Sequence, residues 1–174
     1  VSTPWGTHLA DEGRSNYSTG KFTIPVALSW YVYLPSHDWF SPGDRIESST
    51  PIRSRGVLYA AASEGILYAF DTATSKLLWT YNAGYAIEAT PTLEGGAICF
   101  GSSDGVLRCL DSQDGKLLWK FQARSSVLSS PVIENETVYF PASDDRIYAL
   151  ALKNGEKKWV FTRGTYQTVA PRLT

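Results

Sequence analysis

The sequence predicts an all-β protein, a β-propeller of four-stranded antiparallel blades, and three observations predict it. The first is a recurring phrase. CLDSQDGKLLW at 109–119 has a copy forty residues earlier, AFDTATSKLLW at 69–79, and another forty later, ALALKNGEKKW at 149–159. Self-similarity at such a period is the mark of a structural array. The second is the exactness of the count: Pro51, Pro91, Pro131 and Pro171 are each forty apart, as are Trp39, Trp79, Trp119 and Trp159, with no insertion between them. The third is that Ile66–Phe70 and Arg146–Leu150 are largely apolar at both alternating positions, as in strands covered on both faces, while helical periodicity is absent. Short strands buried on both faces, four to a repeat, describe blades stacked around an axis.

Each period justifies four strands, illustrated by Ala89–Leu93, Ala97–Gly101, Val106–Asp111 and Leu117–Gln122. Between the second and third lies a tight polar turn, Ser63-Glu64-Gly65, Ser103-Asp104-Gly105 or Ser143-Asp144-Asp145, whose residues tolerate the positive backbone angle of a short hairpin. Residues 1–44 read as an irregular leader with one or two strands. Of these, 1–20 are polar, 21–34 (KFTIPVALSWYVYL) are apolar and aromatic with Pro25 marking an edge or break, and 35–44 are turn-rich. Residues 45–174 hold the repeats, approximately 45–84, 85–124 and 125–164, with 165–174 starting the next. Either Trp30 or Trp39 is the first outer-strand tryptophan: the spacing favours Trp39, the strand-like surroundings Trp30.

The 174 residues, 43% hydrophobic and 19% charged, are ordinary for a globular protein, and the net charge of −1 is well mixed. Nucleic-acid and anionic-membrane surfaces are not indicated, and no apolar run reaches the ~20 residues of a membrane helix. There is no methionine. The N-terminal Val1 is therefore expected to arise by processing or excision from something longer.

Candidate chemistry is sparse. His8 and His37 stand in irregular segments without acidic or cysteine companions at ligand spacing. Asp104, Asp144 and Asp145 read as turn residues. Arg53, Arg55, Arg124 and Arg163 would form a recognition surface only if they clustered on one face. Asn16 and Asn135 head glycosylation triplets too short to carry weight. Cys99 and Cys109 match no metal-ligand or CxxC spacing and occupy packing positions on neighbouring strands; two buried free thiols is the favoured reading, a cross-strand disulfide the alternative. No catalytic, cofactor-binding or metal residue is assigned.

The recurring phrase resembles the pyrroloquinoline-quinone-type propeller repeat, Ala-x-Asp-x-x-Thr-Gly-Lys-x-x-Trp, the tryptophan docking motif. The second copy keeps Asp111, Gly115, Lys116 and Trp119; the first keeps Ala69, Asp71, Thr74, Lys76 and Trp79 but has Ser75 for glycine; the third keeps Ala149, Gly155 and Trp159 but has Ala151 for aspartate. Trp5, Asp11, Arg14 and Trp30 are similar to the opening that precedes a first blade in that family. The resemblance implies eight blades, roughly 320 residues at this period, of which this chain would hold about three. It is thus read as part of a larger ring, a partner chain or a fourth blade built from 21–34 being the alternatives.

The function this implies is a non-catalytic scaffold or protein-binding module outside the cytoplasm, similar to periplasmic propeller lipoproteins that scaffold outer-membrane protein assembly. Its partners would be other proteins or the missing blades, with a homo-oligomer as a further possibility and no cofactor. The alternative is a fragment of a quinone-dependent alcohol or sugar dehydrogenase, with pyrroloquinoline quinone and calcium bound by residues outside this chain. The adjacent cysteine pair and catalytic aspartate of those enzymes have no counterpart in the repeats. A propeller appended to a eukaryotic adenylating enzyme or to a stress-sensor lumenal domain is a third setting in which such repeats occur.

Overall fold

A computed structural model describes residues 49–162. They form three four-stranded antiparallel sheets whose strands lie in sequence order, and no helix. Blade I comprises β1 (Ile52–Ser54), β2 (Val57–Ala61), β3 (Ile66–Asp71) and β4 (Leu77–Asn82). Blade II comprises β5 (Thr92–Glu94), β6 (Ala97–Gly101), β7 (Val106–Asp111) and β8 (Leu117–Gln122), and blade III β9 (Val132–Glu134), β10 (Thr137–Ala142), β11 (Arg146–Ala151) and β12 (Lys157–Thr162). The three expected blades are present. The innermost strand of blade II is Thr92–Glu94 rather than Ala89–Leu93. Its predicted first half is spent on a junction, where the Thr90 amide donates to Ser130 Oγ and Pro91 has no amide to give to a ladder.

The core lies between sheets. Alternate residues of one blade face its successor and the intervening ones its predecessor, because side chains along a strand point to opposite faces. Ile52, Tyr59, Leu67 and Ala69 of blade I therefore cluster with Ile98, Phe100 and Leu110 of blade II. Cys99, Leu107, Cys109 and Trp119 of blade II cluster with Val138, Phe140, Tyr148 and Leu150 of blade III. At the inner edge the Thr50 amide donates to Thr90 Oγ1 at 3.0 Å, and the Thr90 amide to Ser130 Oγ at 3.0 Å, each bond spanning forty residues. A hydroxyl at this repeat position thus ties each inner strand to the next.

The cysteines correct the free-thiol expectation. Cys99 and Cys109 are directly opposed on β6 and β7, with Cα atoms 4.1 Å apart, and are joined in a disulfide. Both are fully buried against blade III. The equivalent pairs are Tyr59 with Ala69 and Tyr139 with Ala149, so the sulfur bridge fills the room that an aromatic ring takes in the other blades. Replacing both cysteines by serine is expected to cost roughly 2–3 kcal/mol from the short closed loop alone, with a further loss from burying two hydroxyls. Urea unfolding with and without reductant checks this, since the variant should lose its sensitivity to reductant.

Candidate functional site

Two ends of the sheets are available to a ligand. The outer-turn end carries the β1–β2 and β3–β4 turns and their equivalents; the connector end carries the β2–β3 turns and the segments that lead from blade to blade.

At the outer-turn end the recurring phrase builds a socket. Asp71 closes the turn after β3, its Oδ1 accepting the amides of Ala73 at 3.0 Å and Thr74 at 2.7 Å and the Thr74 hydroxyl at 2.8 Å. These bonds hold its pKa below the usual carboxylate range, the Thr74 hydroxyl contributing most. Asp111 repeats the bond to Gln113 at 2.7 Å. In blade III Ala151 has no carboxylate, and Asn154 Oδ1 accepts the Glu156 amide at 3.1 Å as Asp114 Oδ1 accepts that of Lys116 at 3.0 Å in blade II. Gly115 then takes a φ of 73° and Gly155 one of 70°. Trp79 lies on Gly115 and Trp119 on Gly155, so closely that a Cβ would come within 2.6 Å and 2.5 Å of the respective rings. Trp79 Nε1 donates to the Ser112 carbonyl at 3.2 Å and Trp119 Nε1 to the Leu152 carbonyl at 2.7 Å. Tyr59 donates to the same Ser112 carbonyl at 3.1 Å. The phrase therefore joins blades through its tryptophans, while Asp71 and Asp111 are engaged within its turns.

At the connector end, a short acid at the β2–β3 turn meets a side chain four residues on. Glu64 accepts from the Tyr68 hydroxyl at 3.1 Å, and Asp144 from that of Tyr148 at 2.8 Å. Burial, reinforced by Glu64, pushes the Tyr68 phenol up to about 12, so it remains a donor at any physiological pH. In blade II the partner is Arg108, 2.7 Å from Asp104. Arg108 also donates to Ser102 Oγ at 2.5 Å and, across the blade junction, to the Ala83 carbonyl at 3.4 Å. Burial raises the Asp104 pKa, but Arg108, the Ser102 hydroxyl and the Val106 amide together bring it below the ordinary carboxylate value. Asp104, Asp144 and Asp145 do sit in the turns, as expected, and Asp145 takes the positive φ of 59° that glycine takes in blades I and II. The ion pair of Asp104 was not foreseen. The signal was the Asp104/Arg108 spacing across a tight hairpin, which returns the chain past its own turn.

The arginines do not converge. Arg53 and Arg55 are at the outer-turn end, on β1 and in the turn after it, whereas Arg124 follows β8 at the connector end. Arg163, His8 and His37 lie outside the described residues, as do Trp30 and Trp39. Among the described residues, no three His, Cys, Asp or Glu side chains come together in a way that could hold a metal.

A hollow of about 670 Å³ lies on the face of blade III that points away from blade II, with Glu88 at its border. Val132, Tyr139, Pro141 and Ile147 line it, with Leu128, Ser129 and Ser130 of the connector. These positions correspond to Thr92, Cys99, Gly101 and Leu107, which blade II presents to blade III. The hollow is open and mixed in character, its apolar sheet face bordered by the carboxylate of Glu88 and the hydroxyls of Ser129 and Ser130.

Comparison with known proteins agrees with this geometry. The family described as outer membrane protein assembly factor BamB matches residues 63–173. No curated protein matches the chain. BamB from Moraxella catarrhalis is similar in structure, with a TM-score of 0.63 and 22% identity over 70% of this chain and 37% of that one. The quinohemoprotein alcohol dehydrogenase of Comamonas testosteroni gives a TM-score of 0.60 and 24% identity over 67% of this chain and 21% of that one. The computationally designed Ika8 protein gives 0.59 and 16% over 66% and 36%. At these identities the likeness is one of fold, and the chain spans little more than a third of BamB.

Proposed function

The chain belongs to the BamB family, and from that premise we propose that it is a non-catalytic propeller scaffold, acting outside the cytoplasm in the assembly of outer-membrane proteins. The observation that carries this reading is the fate of the polar side chains. Asp71, Asp111, Asp104 and Arg108 are all spent on turns and blade junctions, and the hollow on blade III is an open sheet face rather than an enclosed pocket. The buried Cys99–Cys109 disulfide supports an oxidising compartment, since such bonds form and persist outside the reducing cytosol.

The quinone alternative has structural relatives, but the described residues offer no fitting set. The two cysteines are cross-strand partners, not chain neighbours, and Asp104 and Asp144 are held by arginine at 2.7 and 3.1 Å. Deletion of the gene in its source organism separates the readings. Lower levels of outer-membrane β-barrel proteins with unchanged quinone-dependent oxidation of alcohols and sugars are expected. Loss of that oxidation with normal barrel levels would overturn the proposal.

A further inference from the structure

Each blade carries one row of side chains, running across its four strands, on the face that points to the following blade. In blade I the row is Ile52, Tyr59, Ala69 and Trp79. In blade II it is Thr92, Cys99, Cys109 and Trp119, and in blade III Val132, Tyr139, Ala149 and Trp159. In blades I and III the tryptophan leans on the tyrosine of its row, with ring centroids 5.8 and 5.9 Å apart. Blade II has no such ring. Its Trp119 is opposed to Cys109, which is bonded to Cys99, so the disulfide occupies the middle of the row. Both ends of that row are bonded to blade III, Thr92 Oγ1 donating to the Pro131 carbonyl and Trp119 Nε1 to the Leu152 carbonyl. Between them the cysteines are 0% exposed and cluster with Val138, Phe140, Tyr148 and Leu150 of blade III.

We propose that this disulfide is a redox-sensitive latch on the joint between blades II and III, with no counterpart at the joint between blades I and II. Breaking it takes two electrons and two protons from a dithiol reductant. One thiolate of the reductant attacks one sulfur and displaces the other, and its second thiol resolves the mixed disulfide. Cys99 and Cys109 are left as thiols, and the reductant departs as a disulfide. The two freed sulfurs stand at van der Waals separation and need more room than the bonded pair, in a place where close packing leaves none. The β6–β7 ladder fixes the spacing of their strands, so they press on Trp119 and on the facing side chains of blade III. Shielding acts in the other direction: with both cysteines buried, a thiolate reaches them only when blade III lifts, and the closed joint protects the bond that latches it. At the joint between blades I and II the middle of the row is Tyr59, whose hydroxyl donates to the Ser112 carbonyl at 3.1 Å, a contact indifferent to thiols.

Hydrogen exchange on the full chain, oxidised and in excess dithiothreitol, tests this, because amides forty residues apart report on the two joints. The Thr90 amide donates to Ser130 Oγ and the Ser143 amide to the Ser126 carbonyl at the joint of blades II and III. Their counterparts at the joint of blades I and II are the Thr50 amide on Thr90 Oγ1 and the Ser103 amide on the Ala86 carbonyl. Reduction should speed Thr90 and Ser143 by about ten-fold or more and leave Thr50 and Ser103 within about two-fold. Cys99→Tyr with Cys109→Ala, which copies the row of blade I, should exchange alike with and without reductant; Cys99→Ala with Cys109→Ala takes its place if the first variant does not fold. Thiol alkylation and mass measurement confirm the reduction. A bond that survives dithiothreitol in the folded chain, unchanged rates at Thr90 and Ser143 once it is broken, or equal acceleration at both joints overturns the latch. So does an acceleration by dithiothreitol that persists in the cysteine-free variant.

Discussion

Trp119→Ala is expected to destabilise the chain by about 3–5 kcal/mol, the usual cost of removing a buried tryptophan. Trp119 is 8% exposed, belongs to the cluster between blades II and III, and rests on Gly155 with its Nε1 bonded to the Leu152 carbonyl at 2.7 Å. Truncation would leave a void against blade III and strip that carbonyl of its donor. Trp159→Ala is the internal control. Trp159 is 39% exposed and should cost about 2 kcal/mol less, because more of its surface is already in water. Urea unfolding followed by far-UV circular dichroism reads both. Equal costs for the two substitutions would show that the docked geometry contributes nothing beyond the strand itself.

Asp104→Ala should be the other costly change, on the order of 3–5 kcal/mol, because it leaves the Arg108 guanidinium buried without its counter-charge. The side chains are only 13% and 10% exposed, so water cannot take the carboxylate's place. Arg108→Tyr, by contrast, copies blades I and III, where a tyrosine meets the acid at the same spacing, and should retain most of the stability. The pH dependence has a definite sign. The Asp104 pKa is lower in the folded state than in the unfolded chain, so its contribution is complete above the ordinary carboxylate value and disappears as pH falls through the folded value. Wild type and Asp104→Asn should therefore differ most near neutrality and converge in acid. Melting temperatures from pH 2 to 7 check this; a gap that widened in acid would contradict the ion pair.

How much of this was legible beforehand can be judged residue by residue. The strands Ala97–Gly101, Val106–Asp111 and Leu117–Gln122 follow from alternation and turn chemistry, since both are local and repeat every forty residues. The inner strand of blade II was misplaced because Thr90 bonds to Ser130, a partner forty residues away, and local pattern carries no trace of it. The turn role of Asp104 was readable from Ser-Asp-Gly; its pairing with Arg108, and the reach of that guanidinium to the Ala83 carbonyl in the neighbouring blade, were not.

The sequence by itself determined the period, the all-β class, the hairpin turns and the residues that occupy the socket, because a repeat of forty with invariant proline and tryptophan positions admits few folds. Only the tertiary structure decided that Cys99 and Cys109 are bonded rather than free, since that depends on their being opposed across a ladder at 4.1 Å. It likewise decided that Trp79 lies over Gly115 and Trp119 over Gly155, because a glycine's missing Cβ matters only once the neighbouring ring is in place.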